Sequence, residues 1–140
     1  MTIIEAINRT DAVKPNQYTQ EEKIRWLSIL DGMVKKEIID VHEGADLVPF
    51  TPYAADTALD TVLLIAEPYA QEAYTAWLSA QIDYSNEEIN RYANSMAAFN
   101  AAYSAYSAWY NRTYMPLQRN RITTFCSGVK EPVLPWPLQG

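Results

Sequence analysis

The stretch from Ile89 to Tyr110 constrains the fold most, because its apolar residues repeat at alternating steps of three and four. This spacing places side chains on one stripe of an α-helix, here over about three heptads. The stripe consists of Ile89, Tyr92, Met96, Phe99, Tyr103, Tyr106 and Tyr110. Beside it lies a flank of small residues with high helix propensity, Ala93, Ala97, Ala98, Ala101, Ala102, Ala105 and Ala108. The pattern predicts a long core helix of a small bundle; an aromatic stripe that binds another chain is the alternative.

Three earlier segments also have helical patterns, at residues 2–10, 19–42 and 68–83. Thr19 and Glu22 have the spacing of a capping box at the start of the second segment, and Gly44 follows its end as a stop signal. The apolar residues of that segment predict one inner face, made of Ile24, Leu27, Leu30, Val34, Ile38 and Val41.

The connections between the helices carry clear turn signals. Ser85 and Glu88 have capping-box spacing, which predicts a turn and an antiparallel hairpin of the third and the long helix. One continuous helix through this point is the alternative. Prolines at positions 49 and 52 forbid a helix there, and residues 61–66 are predicted to form a short strand or a buried extended segment.

The chain beyond Pro116 has a different composition. Proline ends the long helix, and three more prolines in residues 132–137 favour an extended, polyproline-like arm. The sequence thus predicts a mostly α fold, with a bundle of three to four helices and a long C-terminal helix hairpin in residues 1–116. Residues 117–140 form the arm, which either stays disordered or docks on another chain. Its candidate partner contacts are Arg119, Arg121, Phe125, Leu134 and Trp136.

Charge is segregated along the chain. Residues 37–90 contain eleven acidic and no basic side chains, whereas residues 91–140 contain five basic and one acidic. Such asymmetry suggests head-to-tail contacts between copies, although an acidic solvated surface is the simpler alternative. The candidate residues for an acidic face, toward a channel or a neighbouring subunit, are Glu43, Asp46, Asp56 and Asp60.

Catalytic and metal chemistry have little support in the sequence. His42 is the single histidine, and its neighbours Asp40, Glu43 and Asp46 are too weak a set for a zinc site. A histidine that contacts the last carbonyls of its helix is the expected role. Cys126 has no histidine close in sequence, and the four glycines are isolated. We therefore expect no enzymatic activity, no metal and no cofactor.

Composition also limits location and partners. One cysteine excludes an internal disulfide, which fits a reducing cytoplasm. The apolar run at residues 62–66 is too short to cross a bilayer, so no membrane partner is expected. A net charge of −6 disfavours sequence-specific DNA binding. An acidic wall still permits duplex DNA to slide past, because it repels phosphates.

Two blocks of the chain, within residues 18–44 and 82–113, resemble a known family. The first contains YTQEEKIRWL (18–27) and IIDVHEG (38–44); the second runs from IDY (82–84) through EINRYANSMAAFN (88–100) to WYNRT (109–113). Both resemble the head–tail connector, or head-completion (adaptor), proteins of long-tailed bacteriophages.

The resemblance implies a structural virion protein at the head–tail junction, assembled in the bacterial host cytoplasm. It implies a ring of about a dozen copies under the portal. The segregated charge fits this expectation, because head-to-tail contacts between copies can close into rings. The expected partners are other copies, the portal protein, the next tail (stopper) protein and passing double-stranded DNA. Another head- or tail-completion protein, or a small phage regulator or inhibitor that binds one partner, is the alternative.

Overall fold

The computed structural model describes residues 1–117, and most of this part is helical. The four main helices are α1 (Ile3–Val13), α2 (Gln20–Val34), α3 (Tyr69–Ser85) and α4 (Ile89–Thr113). A π-helical turn, Lys35–Ile39, continues α2, and a short 3₁₀ turn, Ala45–Leu47, follows it. In these 117 residues the β pairing is limited to two isolated bridges, Thr2–Val62 and His42–Pro116. The predicted mostly α fold with a long C-terminal helix pair is confirmed.

Threonine side chains cap the first two helices, as was predicted for Thr19 and not for Thr2. The Thr2 hydroxyl accepts the Glu5 N–H and the Glu5 carboxylate accepts the Thr2 N–H, which completes a capping box. At α2 the Thr19 hydroxyl accepts the Glu22 N–H at 3.1 Å. Each cap satisfies a backbone donor that would otherwise lack a partner in the first turn.

The inner face of α2 follows the sequence pattern up to Ile38 and then shifts. Val41, predicted to face the core, is 40% exposed, whereas Ile39 and His42 are buried. The cause is the π-helical turn, in which the Asp40 N–H binds the Lys35 carbonyl, five residues back, at 2.9 Å. The wider turn advances the buried face by about one residue, so the prediction for Val41 is wrong.

The turn between α3 and α4 differs from the predicted capping box. Ser85 is still helical, and Glu88 begins α4 without a side-chain cap. The chain turns instead by a Schellman motif, in which the Glu88 N–H binds the Asp83 carbonyl and the Glu87 N–H binds the Tyr84 carbonyl. Glu87 supplies the left-handed conformation at φ 61°.

α3 and α4 form the predicted antiparallel hairpin, and aromatic pairs run along its whole length. Phe99, Tyr106 and Tyr110 are buried, and the stripe packs against α3 and the core. Only Ile89, which is 66% exposed, departs from the pattern among the stripe residues. The core-helix interpretation of the stripe is therefore confirmed. The pairs, by ring-centroid distance, are Tyr84–Tyr92 at 5.4 Å, Trp77–Phe99 at 5.1 Å and Tyr69–Tyr106 at 6.1 Å.

The segment at residues 61–66 is a buried extended segment and not a strand. Leu63 and Ile65 are buried, and Val62 faces solvent. Backbone hydrogen bonds fix the segment to the N-terminus: the Ile3 N–H binds the Thr61 carbonyl, and the Leu63 N–H binds the Met1 carbonyl. The long connection between α2 and α3 is thereby held against α1.

Replacement of Glu87 by glycine should stabilise the protein. A left-handed conformation costs a residue with a Cβ atom about 1 kcal/mol, and glycine adopts it freely. We expect Glu87→Gly to raise the free energy of unfolding by about 1 kcal/mol in urea denaturation.

The neighbouring position provides the matched control. Asn86 has φ −87°, so glycine there brings no relief of strain and adds chain entropy to the unfolded state. Asn86→Gly should not stabilise. Equal stabilisation by both variants would show that the left-handed conformation is not the cause.

Candidate interaction surfaces

His42 anchors the end of the second helical segment to α4. Its Nδ1 lies 2.5 Å from the Ile38 carbonyl oxygen, its Nε2 lies 2.6 Å from Asn111 Oδ1, and its ring meets the edge of Tyr110 at 4.9 Å. The expected helix-end role is confirmed. No group of three or more His, Cys, Asp or Glu side chains within residues 1–117 is placed to hold a metal ion.

Asp31 is a fully buried acidic residue whose role was not predicted from the sequence. Its side chain lies on α2 with no exposed surface. Oδ1 accepts the Tyr74 hydroxyl, and Oδ2 accepts the Tyr53 hydroxyl at 2.6 Å and the Leu64 N–H at 3.0 Å. A signal existed in the sequence, because position 31 lies four residues after Leu27, on the predicted inner face.

Two opposing effects act on the pKa of Asp31. Burial raises it, because a charged carboxylate loses its water, and the three hydrogen bonds lower it. Burial is the larger effect, so the pKa lies above its ordinary value of 3.8. Perturbed buried acids are common in active sites, but both oxygens of this one are satisfied and closed to solvent. Asp31 therefore joins α2 to the connection and α3.

The outer face of α4 is a long uncharged surface. No charged residue lies between Arg91 and Arg112, a span of twenty residues. Its exposed alanines are Ala93, Ala97, Ala98, Ala101, Ala105 and Ala108. Next to α3 this face forms a shallow groove of about 430 Å³, lined by Pro68, Tyr69, Glu72, Ala98, Ala101, Ala102 and Ala105. The predicted alanine flank is thus present and has no partner helix in residues 1–117.

The four candidate acidic residues lie in two pairs along one connection, and all are exposed. Glu43 and Asp46 flank Gly44, and the Glu43 N–H binds the Met115 carbonyl beyond the end of α4. Asp56 and Asp60 lie in turns, and the turn at Asp60 is joined to the start of α1 by the bond from the Ile4 N–H to the Leu59 carbonyl. That they form one face remains a prediction. The other candidates lie outside the described residues: Arg119, Arg121, Phe125, Leu134 and Trp136.

A second groove, of about 470 Å³, lies at the start of α2 and was not predicted. We call it the aromatic groove, because Tyr18, Trp26 and Tyr84 line it, together with Gln17, Thr19, Glu22, Arg25, Gln81 and Ser85. The Tyr18 and Trp26 rings meet edge to face at 5.6 Å. The Tyr18 hydroxyl donates to Asn86 Oδ1 at 2.6 Å, which joins the loop before α2 to the α3–α4 turn.

Comparison with protein families, with curated proteins and with solved structures finds no match for this chain. Among the described residues no helix is long and apolar enough to cross a membrane.

The stability contribution of Asp31 should depend on pH with a defined sign. Because the folded-state pKa is raised, the contribution is full below pH 3.8 and is lost as the pH rises through the raised pKa. Asn at this position does not titrate. We expect the difference in free energy of unfolding, wild type minus Asp31→Asn, to decrease as the pH rises above 3.8.

Urea denaturation of both proteins at a series of pH values measures this difference. Effects of the other carboxylates cancel in the subtraction, since both proteins contain them. A difference that grows with pH would mean that the hydrogen bonds to the carboxylate outweigh its burial.

Proposed function

We propose that this protein is a structural component of a bacteriophage virion. In this role it is a head–tail connector that forms a ring of copies beneath the portal and surrounds the passing DNA. The observation that carries the proposal is the uncharged outer face of α4. A helix at a free surface normally directs charged side chains outward. This face directs six alanines outward, together with the polar residues Asn94, Asn100 and Ser104, and no charged residue between Arg91 and Arg112. Depletion of charge is a feature of interface cores.

The alanine face suits a contact with another copy of the chain. Alanine side chains are short, so the backbone of a neighbouring segment can approach closely and exclude water. Arg91 and Arg112 stand at the two ends of the face, and Arg91 is largely exposed, with only a 3.4 Å pair to Glu88. These two guanidinium groups favour an acidic partner surface.

The connection between α2 and α3 offers such an acidic surface. Glu43, Asp46, Asp56 and Asp60 are exposed, and none has an ion pair within the described residues. A contact between the α4 face of one copy and the acidic connection of the next is heterologous, and heterologous contacts generate rings when the rotation closes. Those acidic residues of the connection that take no part in the contact would face the channel and repel DNA phosphates.

The assignment to a connector, and not to another ring protein, is supported by the resemblance of residues 18–44 and 82–113 to that family. Another head- or tail-completion protein would use the same surfaces. A regulator that binds its partner through the aromatic stripe has less support, because that stripe packs against α3.

Charge placed on the alanine face should prevent assembly. We expect wild type to form rings of about a dozen copies, alone or on a portal ring, and Ala101→Glu or Ala105→Glu to remain monomeric. Burial of an unpaired carboxylate at a close contact costs several kcal/mol, enough to abolish a contact of moderate size. Light scattering and negative-stain images of the same fractions, without and with a portal ring, report the outcome.

Ala12 provides the matched control, because it is an exposed helical alanine on α1. Ala12→Glu introduces the same charge and should assemble as wild type does. Rings formed by Ala101→Glu would exclude the α4 face as the contact. A wild-type protein that stays monomeric and ignores the portal would refute the connector proposal itself.

A further inference from the structure

We infer that the aromatic groove binds the proline-rich segment of this chain, residues 132–137. The inference goes beyond the connector proposal, since it concerns one groove and one segment and holds whether or not a ring forms. Within a ring, the same contact would let the segment of one copy hold the next copy.

The groove offers the surfaces that proline-rich segments need. Aromatic rings with accessible faces are the common feature of sites that bind polyproline helices, because proline rings pack flat against them. Tyr84 is 63% exposed and Tyr18 is half-buried, so these two rings are accessible, whereas Trp26 beside Tyr18 is buried. A polyproline helix makes no internal hydrogen bonds, so its carbonyls need donors. The amide of Gln81 and the hydroxyl of Ser85 line the groove and can donate.

The segment has the matching pattern. Its sequence is PVLPWP, with Pro132 and Pro135 three residues apart. A polyproline helix has three residues per turn, so this spacing places both rings on one face. Proline also has little conformational freedom to lose, which favours binding by such a segment over binding by a flexible one. Trp136 adds a large apolar side chain next to that face.

Charge at the rim of the groove complements the residues just before the segment. Arg25 and Glu22 form an exposed ion pair there. Lys130 and Glu131 precede Pro132, so each can face the oppositely charged member of that pair. A second depression, of about 290 Å³, lies on the other side of the same pair and includes Tyr53. The segment can therefore cross the ion pair from the aromatic groove into this second depression.

The chain is long enough to reach the groove. Leu117 is fixed near the far end of the second helical segment, where its N–H binds the Val41 carbonyl at 2.9 Å. Residues 20–39 cover roughly 30 Å between the groove and that point at helical rise. The fourteen residues 118–131 span up to about 46 Å when extended. The groove of the same copy is therefore within range.

Cys126 permits a direct test in the full chain, because it is the only cysteine and lies six residues before Pro132. A benzophenone maleimide is attached to Cys126, the protein is irradiated, and cross-linked peptides are identified by mass spectrometry. We expect the cross-links to concentrate in residues 17–26 and 81–86. Mixing ¹⁵N-labelled with unlabelled chains shows whether each link joins one copy or two.

Tyr84→Ala should remove most of these cross-links, because it deletes the most exposed ring of the groove. Tyr114→Ala is the matched control, an exposed tyrosine at the other end of the α3–α4 hairpin. Thermal unfolding of both variants verifies the fold. A further variant of the chain replaces both Pro132 and Pro135 by alanine. It should lose the same cross-links although the groove is unchanged.

Cross-links that fall elsewhere, or that persist in Tyr84→Ala, would overturn the inference. Its outcome is separable from that of the connector proposal. Rings in which no cross-link reaches the groove would refute binding of the segment there and leave the connector proposal standing. Cross-links to the groove in a protein that never forms rings would refute the connector proposal and leave binding of the segment to the groove standing.

Discussion

The buried carboxylate of Asp31 is the interaction on which the arrangement of the chain depends. It accepts hydrogen bonds from two tyrosine hydroxyls and one backbone N–H, and these donors belong to α3 and to the connection. The Tyr74 hydroxyl in turn accepts the Ile65 N–H at 2.8 Å. Removal of the carboxylate would leave three donors without their partner, and the fully buried Tyr74 hydroxyl alone would cost about 1–3 kcal/mol. An irregular connection of some twenty residues is thereby held in one conformation, which hydrophobic contact alone does not specify.

A second buried acid fixes the opposite end of the bundle. Asp83, at the end of α3, accepts the Lys14 ammonium at 2.6 Å and the Ser95 hydroxyl at 2.9 Å. The loop after α1, α3 and α4 therefore meet at one carboxylate. With both ends fixed, the aromatic stripe of α4 has α3 as its partner along nearly its whole length. The alanine face of α4 necessarily points away from the core, and this geometry presents it to other molecules.

Local signals in the sequence predicted the helices well. Contacts between residues far apart in the sequence could not be predicted from such signals. Thr19 acts on a backbone group three residues away, so the start of α2 could be predicted from the sequence. Val41 was misplaced because a π-helical turn shifts the face after Ile38, and no residue pattern announces such a turn. The aromatic groove joins Tyr18 and Trp26 to Tyr84, which lies 66 and 58 residues further along the chain, and only the folded chain brings them together.

The chemistry of the alanine face bears on how such a ring would assemble. Alanine buries little apolar area, and at about 25 cal/mol per Å² each side chain contributes only a fraction of the energy of a buried leucine. A single contact between two copies is then weak. In a closed ring every copy makes two contacts, and the last copy closes both at once, so the ring gains stability that a pair lacks. In the proposed ring, a weak contact of this kind would keep free copies apart until a template such as a portal gathered them. The proline-rich segment, tethered to each copy, would add a second contact at high effective concentration. A strongly apolar α4 face would remove this control, since free copies would then associate before the template was present.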